Sequence, residues 1–242
     1  MTNRFEGRRV AVIGATGGIG LAICESLAGQ GAHVHGLDLK GLEALPAGVS
    51  GHQVDVTSEE SVAAVVRALY ADDDRPVDLV NSAGTVENVA AEDMPLAEFD
   101  RILAVNLRGV FLTCREFGRE LLAHGGGAIV NIASMSGNAI VNHPQRQCAY
   151  NTSKAGVSAL TRSLAVEWGP RGVRINTVSP GYVQTPLTMA KTDLHPQWMR
   201  ETVLGRFAQP WEIAKAVEYF LSDDSAFCCG TELLIDGGFA LR

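Results

Sequence analysis

Short runs of apolar, often β-branched residues alternate along the chain with longer stretches in which apolar residues recur at helical spacing. The short runs predict strands at about 8–14, 32–38, 51–56, 76–84, 127–134, 173–181 and 231–238. The helical patterns cover about 18–29, 59–70, 97–123, 150–168 and 210–221, with a weaker one at about 195–204. Strands that alternate with helices, several of them apolar throughout, are typical of a parallel sheet covered on both faces. The pattern therefore predicts an α/β fold with a doubly wound parallel sheet of about seven strands.

The chain contains no linker-like segment, low-complexity tract or internal repeat, so residues 1–242 are predicted to form one domain. The longest stretch without a clear pattern is "GYVQTPLTMAKTDLHPQ", residues 181–197. Long loops in compact domains are usually functional or mobile. We therefore expect a substrate loop or lid over about 181–205.

Charge and cysteine content exclude several classes of protein. The net charge of −7 at pH 7 argues against a basic surface for nucleic acid. The cysteines Cys24, Cys114, Cys148, Cys228 and Cys229 lack the spacing of a metal site or a disulfide framework. The sequence shows no signal-peptide pattern and no run of about 18 apolar residues. We expect a cytoplasmic protein with no metal, membrane or nucleic-acid partner.

A glycine-rich turn, "GATGGIG" at residues 14–20, follows the first predicted strand. Glycines let the backbone approach a pyrophosphate closely, and the N-terminus of the next helix favours negative charge. The second predicted strand ends in Asp38, 18 residues after Gly20. A carboxylate there accepts hydrogen bonds from an adenine ribose and repels a 2′-phosphate. The arrangement predicts a Rossmann-type fold that prefers NAD to NADP, with Lys40 as the one cation that could reach a phosphate.

Tyr150 and Lys154 lie four residues apart in a predicted helix, so their side chains share one face. Tyrosine titrates near 10 and is a weak base at neutral pH, but a neighbouring cation lowers its pKa. The pair is therefore a candidate proton-transfer site. On this spacing alone, an ordinary pair of surface side chains is the simpler interpretation.

Several motifs follow one another in an order that is more specific than any one of them. They are "GATGGIG" (14–20), "NSAG" (81–84), "VNLRGVF" (105–111), "IVNIASMSG" (129–137), "YNTSK" (150–154), "SPGYVQTP" (179–186) and "DGG" (236–238). Together they resemble the short-chain dehydrogenase/reductase family over essentially the whole chain. The resemblance implies that Tyr150 is the general acid/base and that Lys154 lowers its pKa and holds the nicotinamide ribose. It also implies that Ser134 hydrogen-bonds the substrate oxygen and that Asn106 anchors a water in a proton relay.

The resemblance also assigns a set of cofactor-binding residues. The first motif supplies Gly14, Gly18, Ile19 and Gly20; Asp55 with Val56 contacts the adenine; Asn81, Ala83 and Gly84 line the adenosine side; and Pro180, Gly181, Val183 and Thr185 hold the nicotinamide amide and a phosphate.

Three positions depart from the family pattern. Ile13 and Ser82 replace a threonine and an asparagine that are common in the family, which changes hydrogen bonds between strands and not the chemistry. Ser134 precedes Tyr150 by 16 residues, a longer spacing than is usual. The longer spacing leaves Ser136 as an alternative to Ser134.

Two segments point to the substrate. "IVNHPQRQCAYNTSKA" (140–155) and "GTELLIDGGF" (230–239) resemble family members that interconvert sugar alcohols and ketoses. Asn142 and Gln147, with His143 and Gln145 near them, would then offer hydrogen bonds to a polyhydroxylated substrate beside Tyr150. A polar, solvated loop is the other interpretation of this segment.

Two other functions fit the same motifs. A 3-oxoacyl-thioester reductase would use NADPH and dock an acidic carrier protein on basic residues, for which Arg115, Arg119, Arg162 and Arg171 are candidates. A non-catalytic, NAD-sensing protein is the other, although family members of that kind usually lack the tyrosine and lysine. The resemblance also implies a homotetramer, built through the helices at about 97–123 and 150–168.

Overall fold

The computed structural model describes residues 3–242. Its seven strands form one sheet in the order β3-β2-β1-β4-β5-β6-β7. They are β1 (Arg9–Ile13), β2 (His33–Asp38), β3 (Ser50–Gln53), β4 (Val77–Asn81), β5 (Gly127–Ile132), β6 (Val173–Pro180) and β7 (Glu232–Ile235). Every neighbouring pair is parallel, and Ile13 of β1 lies opposite both Leu37 and Asn81. The predicted seven-stranded parallel sheet is confirmed.

Each predicted strand is present, and each is shorter than its sequence pattern. The third shows why: it ends at Gln53 and not at 56, because Asp55 starts a turn. One carboxylate oxygen of Asp55 accepts hydrogen bonds from the backbone nitrogen and the hydroxyl of Thr57, at 2.8 and 2.7 Å. Such local side-chain bonds compete with strand pairing. Apolar residues that continue past a strand end therefore belong to the loops at the edge of the sheet.

Nine helices occur in the described residues. They are α1 (Gly18–Ala28), α2 (Glu59–Tyr70), α3 (Leu96–Leu103), α4 (Gly109–Ala123), α5 (Met135–Asn138), α6 (Cys148–Trp168), α7 (Pro186–Met189), α8 (His195–Glu201) and α9 (Pro210–Leu221). Local sequence fixes several of their ends. Ser58 caps α2 by accepting from the Ser61 amide, and Gln209 with Glu212 forms a capping box at the start of α9.

The helix predicted at 97–123 is not a regular α-helix, because it widens into a π-helical turn between α3 and α4, over Ala104–Arg108. Asn106 lies in the middle of this turn and is completely buried. Its side-chain amide bonds both backbone groups of Thr85, each at 2.8 Å. A π-helical turn often marks a functional position. Here the turn places a side chain of a long helix against the loop that follows β4.

The segment at 181–205 contains two short α-helices, including one within the stretch 181–197 for which the sequence showed no clear pattern. Thr185 caps α7 and Pro186 occupies its first turn. A short 3₁₀ turn, Thr192–Leu194, leads into α8, which ends at Glu201 and not at the predicted 204. We call residues 181–205 the lid segment.

Two apolar cores cover the two faces of the sheet. Alternate residues of β1 point to opposite faces: Ala11 and Ile13 belong to the core under α2, α4 and α6, whereas Val10 and Val12 belong to the core under α1 and α9. This double burial explains why every residue of β1 and β4 is buried and why most of them are apolar. Within residues 3–242, no helix is long and apolar enough to cross a membrane. The same residues contain no cluster of three or more metal-ligating side chains.

Candidate active site

Three adjoining cavities lie along the carboxyl ends of the strands. The first, of about 530 Å³, is lined by the ends of β1 and β2 and by the loop after β4. The second, of about 170 Å³, shares Ser82 and Gly84 with the first. The third, of about 100 Å³, shares Ser134 and Tyr150 with the second. Parallel α/β sheets bind ligands at this edge, where the strand order reverses, which here is between β1 and β4.

The first cavity begins at the glycine-rich turn. Gly14 has φ of 77°, and a Cβ atom there would lie 2.5 Å from the backbone nitrogen of Ala83. Only glycine fits such a turn. Asp38 lines the same cavity, and one of its oxygens accepts bonds from the Thr16 amide and hydroxyl, at 3.1 and 2.8 Å. Thr16 therefore fixes the direction of the carboxylate, a role that sequence reasoning missed.

The structure separates the residues expected on the adenosine side into two groups. Asp55, Val56, Ala83 and Gly84 line the first cavity. Asn81 does not, because its side chain turns into the interior. Its amide donates to Asn131 Oδ1 at 2.9 Å and accepts from Thr113 Oγ1 at 2.7 Å. The expectation that Asn81 lines a ligand site is thus corrected: it ties β4 to β5 and α4.

The second cavity contains most of the residues expected to hold the nicotinamide. Its lining includes Ile19, Gly84, Lys154, Pro180, Gly181, Val183 and Thr185. Two expected glycines lie outside the lining and make close packing possible. A Cβ at Gly18 would lie 2.8 Å from Thr185 Cγ2, and one at Gly20 would lie 2.1 Å from the Gly14 carbonyl oxygen.

Asn106 lies outside all three cavities. Besides its two bonds to Thr85, its amide nitrogen donates to Ser153 Oγ at 3.1 Å. The side chain therefore links the loop after β4 to α6, the helix that carries Tyr150 and Lys154. The sequence predicted a functional residue here, and the structure gives Asn106 a clear positioning role.

The electrostatics of the Tyr150–Lys154 pair differ from the sequence prediction. Lys154 is buried and Tyr150 is partly buried, and Lys154 Nζ donates to the carbonyl oxygen of Ile132 at 2.8 Å. Burial raises the pKa of Tyr150, and a hydrogen bond from Ser134 opposes the rise. Burial also lowers the pKa of Lys154 to about 8. Desolvation therefore outweighs the attraction between the pair, and the phenol is protonated at neutral pH.

Ser134 and Ser136 lie at the start of α5. Ser134 caps this short helix, since its hydroxyl accepts from the Ser136 amide at 3.2 Å. It also lines both the second and the third cavity beside Tyr150, whereas Ser136 lines only the third. The geometry favours Ser134 over Ser136 as the partner of a reacting oxygen.

The third cavity joins the segment before α6 to the lid segment. Asn142 and Gln147, both expected at the substrate, line it together with Gln145. Asn142 is only 5% exposed, so it is not part of a solvated loop. His143 is exposed and its carbonyl oxygen accepts from Gln197 at 3.4 Å. His143 therefore belongs to the rim.

Sequence reasoning missed the residues that the lid segment contributes. Tyr182, Leu187, Thr188 and Lys191 all line the third cavity with Trp198. Tyr182 lies in the motif "SPGYVQTP" (179–186), between the predicted site residues Gly181 and Val183. Its aromatic side chain in that motif was the signal that could have identified it. Lys191 gave no signal in the sequence, because only the fold of the lid segment brings it near Tyr150.

The three cavities fit a two-part ligand and a smaller one beside it. The first two form one elongated cleft that starts at a glycine turn and a helix N-terminus, passes a fixed carboxylate and ends at Lys154. These features suit a nicotinamide dinucleotide. The third cavity meets this cleft at Ser134 and Tyr150. A phenol with a serine at its oxygen can pass a proton to or from a small molecule held there.

Comparison with known proteins gives the same picture over the full length. The family model described as enoyl-(acyl carrier protein) reductase matches residues 14–240. Galactitol 2-dehydrogenase (L-tagatose-forming) of Cereibacter sphaeroides is 40% identical, over 98% of this chain and 97% of the relative. D-threitol dehydrogenase of Mycolicibacterium smegmatis is 39% identical, over 99% and 95%.

Among solved structures, gox2181 superposes with a TM-score of 0.94 and 40% identity, over 99% of this chain and 98% of that one. The sheet, the ordered motifs and these full-length matches lead to one conclusion. The chain belongs to the short-chain dehydrogenase/reductase family and is an alcohol dehydrogenase or ketoreductase of that family.

Proposed function

We propose that this enzyme interconverts a sugar alcohol and a ketose with NAD(H). One observation carries the proposal: Tyr150 and Ser134 lie where the cofactor-shaped cleft meets a small cavity rich in amide side chains. Hydride transfer needs the carbinol carbon at that junction, with its oxygen on the acid/base group.

The proposed mechanism uses Tyr150 to move the proton. In oxidation, the Tyr150 phenolate takes the proton of the substrate hydroxyl, while Ser134 donates a hydrogen bond to the same oxygen. In reduction, the Tyr150 phenol returns the proton to the oxygen of the forming alcohol. Bound NAD(H) supplies the hydride acceptor or donor. The protonated phenol that burial favours is the form required for reduction.

Lys154 and Asn106 support this step. Lys154 Nζ donates to the Ile132 carbonyl oxygen and lines the second cavity, where its remaining protons would hold the ribose of a bound cofactor. Its charge favours the Tyr150 phenolate once a substrate and cofactor fill the site. Asn106 holds the loop at Thr85 and the base of α6 in fixed positions. We propose two roles for the Asn106 amide: it positions these two segments, and it anchors the water relay that the family resemblance implies.

The preference for NAD rests on Asp38. Its carboxylate lines the first cavity and is held by Thr16, which suits bonding to two ribose hydroxyls. A 2′-phosphate would meet this negative charge. Asp55, Val56, Ala83 and Gly84 form the adenine side of the same site.

The preference for a polyol rests on the third cavity and on the relatives. Ser136, Asn142, Gln145 and Gln147 surround the position next to Tyr150, and buried amides favour ligands that bond to them. The galactitol and D-threitol dehydrogenases act on alcohols with several hydroxyl groups, as their names state.

A panel of tetritols, pentitols and hexitols tests the proposal. Each is offered with NAD and, separately, with NADP, and formation of reduced nicotinamide is followed. Turnover of one or more polyols with NAD at a higher kcat/KM than with NADP is expected. Turnover with NADP alone would refute the cofactor assignment, and failure of every polyol would refute the substrate class.

The family model's own description keeps a reductase of acyl thioesters as the second candidate. That enzyme would need a basic docking surface. Arg115 is paired with Glu59 and Glu116, and Arg119 with the same Glu116, so these cations are largely neutralised. NADPH-dependent reduction of an acetoacetyl thioester, without polyol turnover, would favour this candidate. The third hypothesis, a non-catalytic NAD sensor, is not retained, because the family assignment and the presence of both Tyr150 and Lys154 in the second cavity support an enzyme.

We also propose a homotetramer in a reducing, cytoplasmic compartment. The support for assembly is an apolar surface on α3, the π-helical turn and α4, where a cavity is lined by Leu103, Leu107 and Phe111, with Leu160 of α6 beside them. Phe111 is 41% exposed. All five cysteines are free thiols, which suits a reducing compartment. Sedimentation equilibrium of the wild type and of Phe111→Glu tests the assembly.

A further inference from the structure

Tyr182 lies at the junction of the cofactor cleft, the third cavity and the lid segment. It follows Gly181, which lines both the second and the third cavity. Its ring stacks on Trp198 of α8, with the centroids 4.0 Å apart and the planes 14° from parallel. The ring of Phe239 packs against the Tyr182 ring in a T-shaped arrangement, with the centroids 5.3 Å apart. These contacts fix the position of the phenol oxygen.

That oxygen bonds to two of the three amide side chains that line the third cavity, those of Asn142 and Gln145. The Tyr182 hydroxyl donates to Gln145 Oε1 at 2.7 Å, and Asn142 Nδ2 lies 3.4 Å from the hydroxyl and 3.3 Å from the same Gln145 oxygen. The network determines which end of each amide is used. It occupies the oxygen of Gln145 and the nitrogen of Asn142.

The opposite ends of both amides are left for a ligand. The Gln145 Nε2 group can donate, and Asn142 Oδ1 is buried and accepts no hydrogen bond from protein in residues 3–242. A buried acceptor without a partner costs free energy that a suitable ligand restores. A hydroxyl group is both donor and acceptor, so it can satisfy either amide.

We propose that Tyr182 is a positioning residue that sets these two amides to recognise a hydroxyl next to the reacting carbon. The enzyme then selects vicinal diols over alcohols with a single hydroxyl. This inference deepens the proposed function and rests on it. It also assigns substrate selection to Tyr182, which directly follows Gly181 of the second cavity. This one side chain contacts both α8 of the lid segment and the two amides.

The test compares 2,3-butanediol with 2-butanol, two secondary alcohols that differ by one hydroxyl. Both are assayed at saturating NAD with the wild type and with Tyr182→Phe, which keeps the ring stack and removes the hydroxyl. Tyr219→Phe is the matched control, because the Tyr219 hydroxyl lies 3.6 Å from Cys228 Sγ and Tyr219 lines none of the three cavities. Binding of NADH is measured by fluorescence titration, and thermal unfolding checks the fold of each variant.

We expect Tyr182→Phe to raise the KM for the diol about tenfold, to change kcat less than twofold and to leave 2-butanol nearly unaffected, as expected for about one lost hydrogen bond. NADH binding should stay at the wild-type value. A second variant, Gln145→Leu, removes the donor itself and should lower the preference for the diol by a similar factor with Tyr182 intact.

Two outcomes would overturn the inference. In one, Tyr182→Phe lowers kcat/KM by the same factor for both alcohols, which would mean a merely structural role. In the other, the diol preference is unchanged in both variants. Failure of the proposed function is distinct from these, because it would appear in the wild type itself, as the absence of any turnover of polyols or diols.

Discussion

The cofactor cleft and the third cavity differ in how the chain builds them. The cleft is made at the ends of neighbouring strands: Gly14 and Thr16 follow β1, and Asp38 ends β2. The third cavity is made by the segment before α6 and the lid segment, with Asn142 and Lys191 brought together from distant parts of the chain. The first depends on short-range geometry that many sequences share. The second depends on two segments whose folds must match each other.

The two regions also differ in charge. The cleft presents the carboxylates of Asp38 and Asp55, whereas the third cavity presents neutral amides and one cation, Lys191. Tyr150 and Ser134 lie between them and serve both. Substitutions in the cleft should therefore change the choice of cofactor, substitutions in the cavity the choice of substrate, and substitutions at the junction the chemistry alone.

The largest effect is expected at the junction. Tyr150→Phe removes the group proposed to carry the proton, so kcat should fall on the order of 1000-fold, within the usual range for a lost acid/base group. The Kd for NADH, from fluorescence titration, should change less than threefold because the ring remains. Loss of NADH binding would contradict the assignment of Tyr150 to proton transfer.

Ser134→Ala should lower kcat/KM about 10- to 100-fold, the range for a hydrogen bond to a charged group. It should also move the pH profile. Alcohol oxidation requires the Tyr150 phenolate, and the bond from Ser134 opposes the rise in the Tyr150 pKa that burial causes. Without that bond the pKa rises further, so the ascending limb of kcat/KM should move to higher pH. A limb that moves to lower pH would contradict this sign. Ser136→Ala is the comparison variant and should leave this limb in place, because the bond that lowers the Tyr150 pKa comes from Ser134.

In the cofactor cleft, Asp38→Asn should reverse or erase the preference for NAD. It removes the negative charge that opposes a 2′-phosphate and weakens the bonds to the ribose hydroxyls. The ratio of kcat/KM for NAD to that for NADP should fall about 10- to 100-fold, as expected for hydrogen bonds to a charged group. Substrate KM at saturating cofactor should stay the same. A change in polyol preference in this variant would contradict the proposal that the cleft controls only the choice of cofactor.

In the third cavity, Lys191→Met should have a smaller effect. The side chain is partly buried, and burial lowers its pKa while Glu87 opposes the change. A hydrogen bond from this cation to a substrate hydroxyl is expected to lower KM about three- to tenfold. The variant should therefore raise the KM for a hexitol more than that for 2-butanol, at unchanged NADH binding. Lys215→Met, at an exposed position of α9, is the control.

The smallest effect concerns stability and lies outside both regions. His35 Nδ1 and His52 Nε2 are 3.3 Å apart on β2 and β3. Burial, with the charges of His52, Arg9 and His33, lowers the pKa of His35 to about 4, although the Asp73 charge opposes it. The unfolded chain binds this proton more readily than the folded protein, so stability falls as the pH drops from about 6.5 towards 4.

His35→Asn should flatten this acid limb. Both proteins should lose Tm between pH 7 and pH 5. Because the His35 side chain is partly exposed, the variant should lose less than the wild type by only a small amount, on the order of 2 °C. His33→Asn, at an exposed position of the same strand, should retain the wild-type slope. Equal slopes for all three proteins would show that the His35–His52 pair does not control acid stability.

Sequence patterns predicted the sheet and helices well because apolar periodicity follows directly from double burial. They predicted strand ends less well, since Asp55 and similar side chains end a strand through local bonds. They placed Asn81 at the ligand, whereas its amide bonds to Asn131 in the interior. A motif records that an amide is needed at a position, but it does not record which way the amide points.

The sequence by itself determined the parallel sheet, the glycine turn at Gly14 and the pairing of Tyr150 with Lys154 on one helix face. Each of these follows from spacing along a few residues of chain. Only the tertiary structure decided that burial raises the pKa of Tyr150, and that Tyr182 and Lys191 face the same cavity as Asn142. Desolvation and long-range contacts depend on everything packed around a group, and that environment is fixed only when segments far apart in the chain come together.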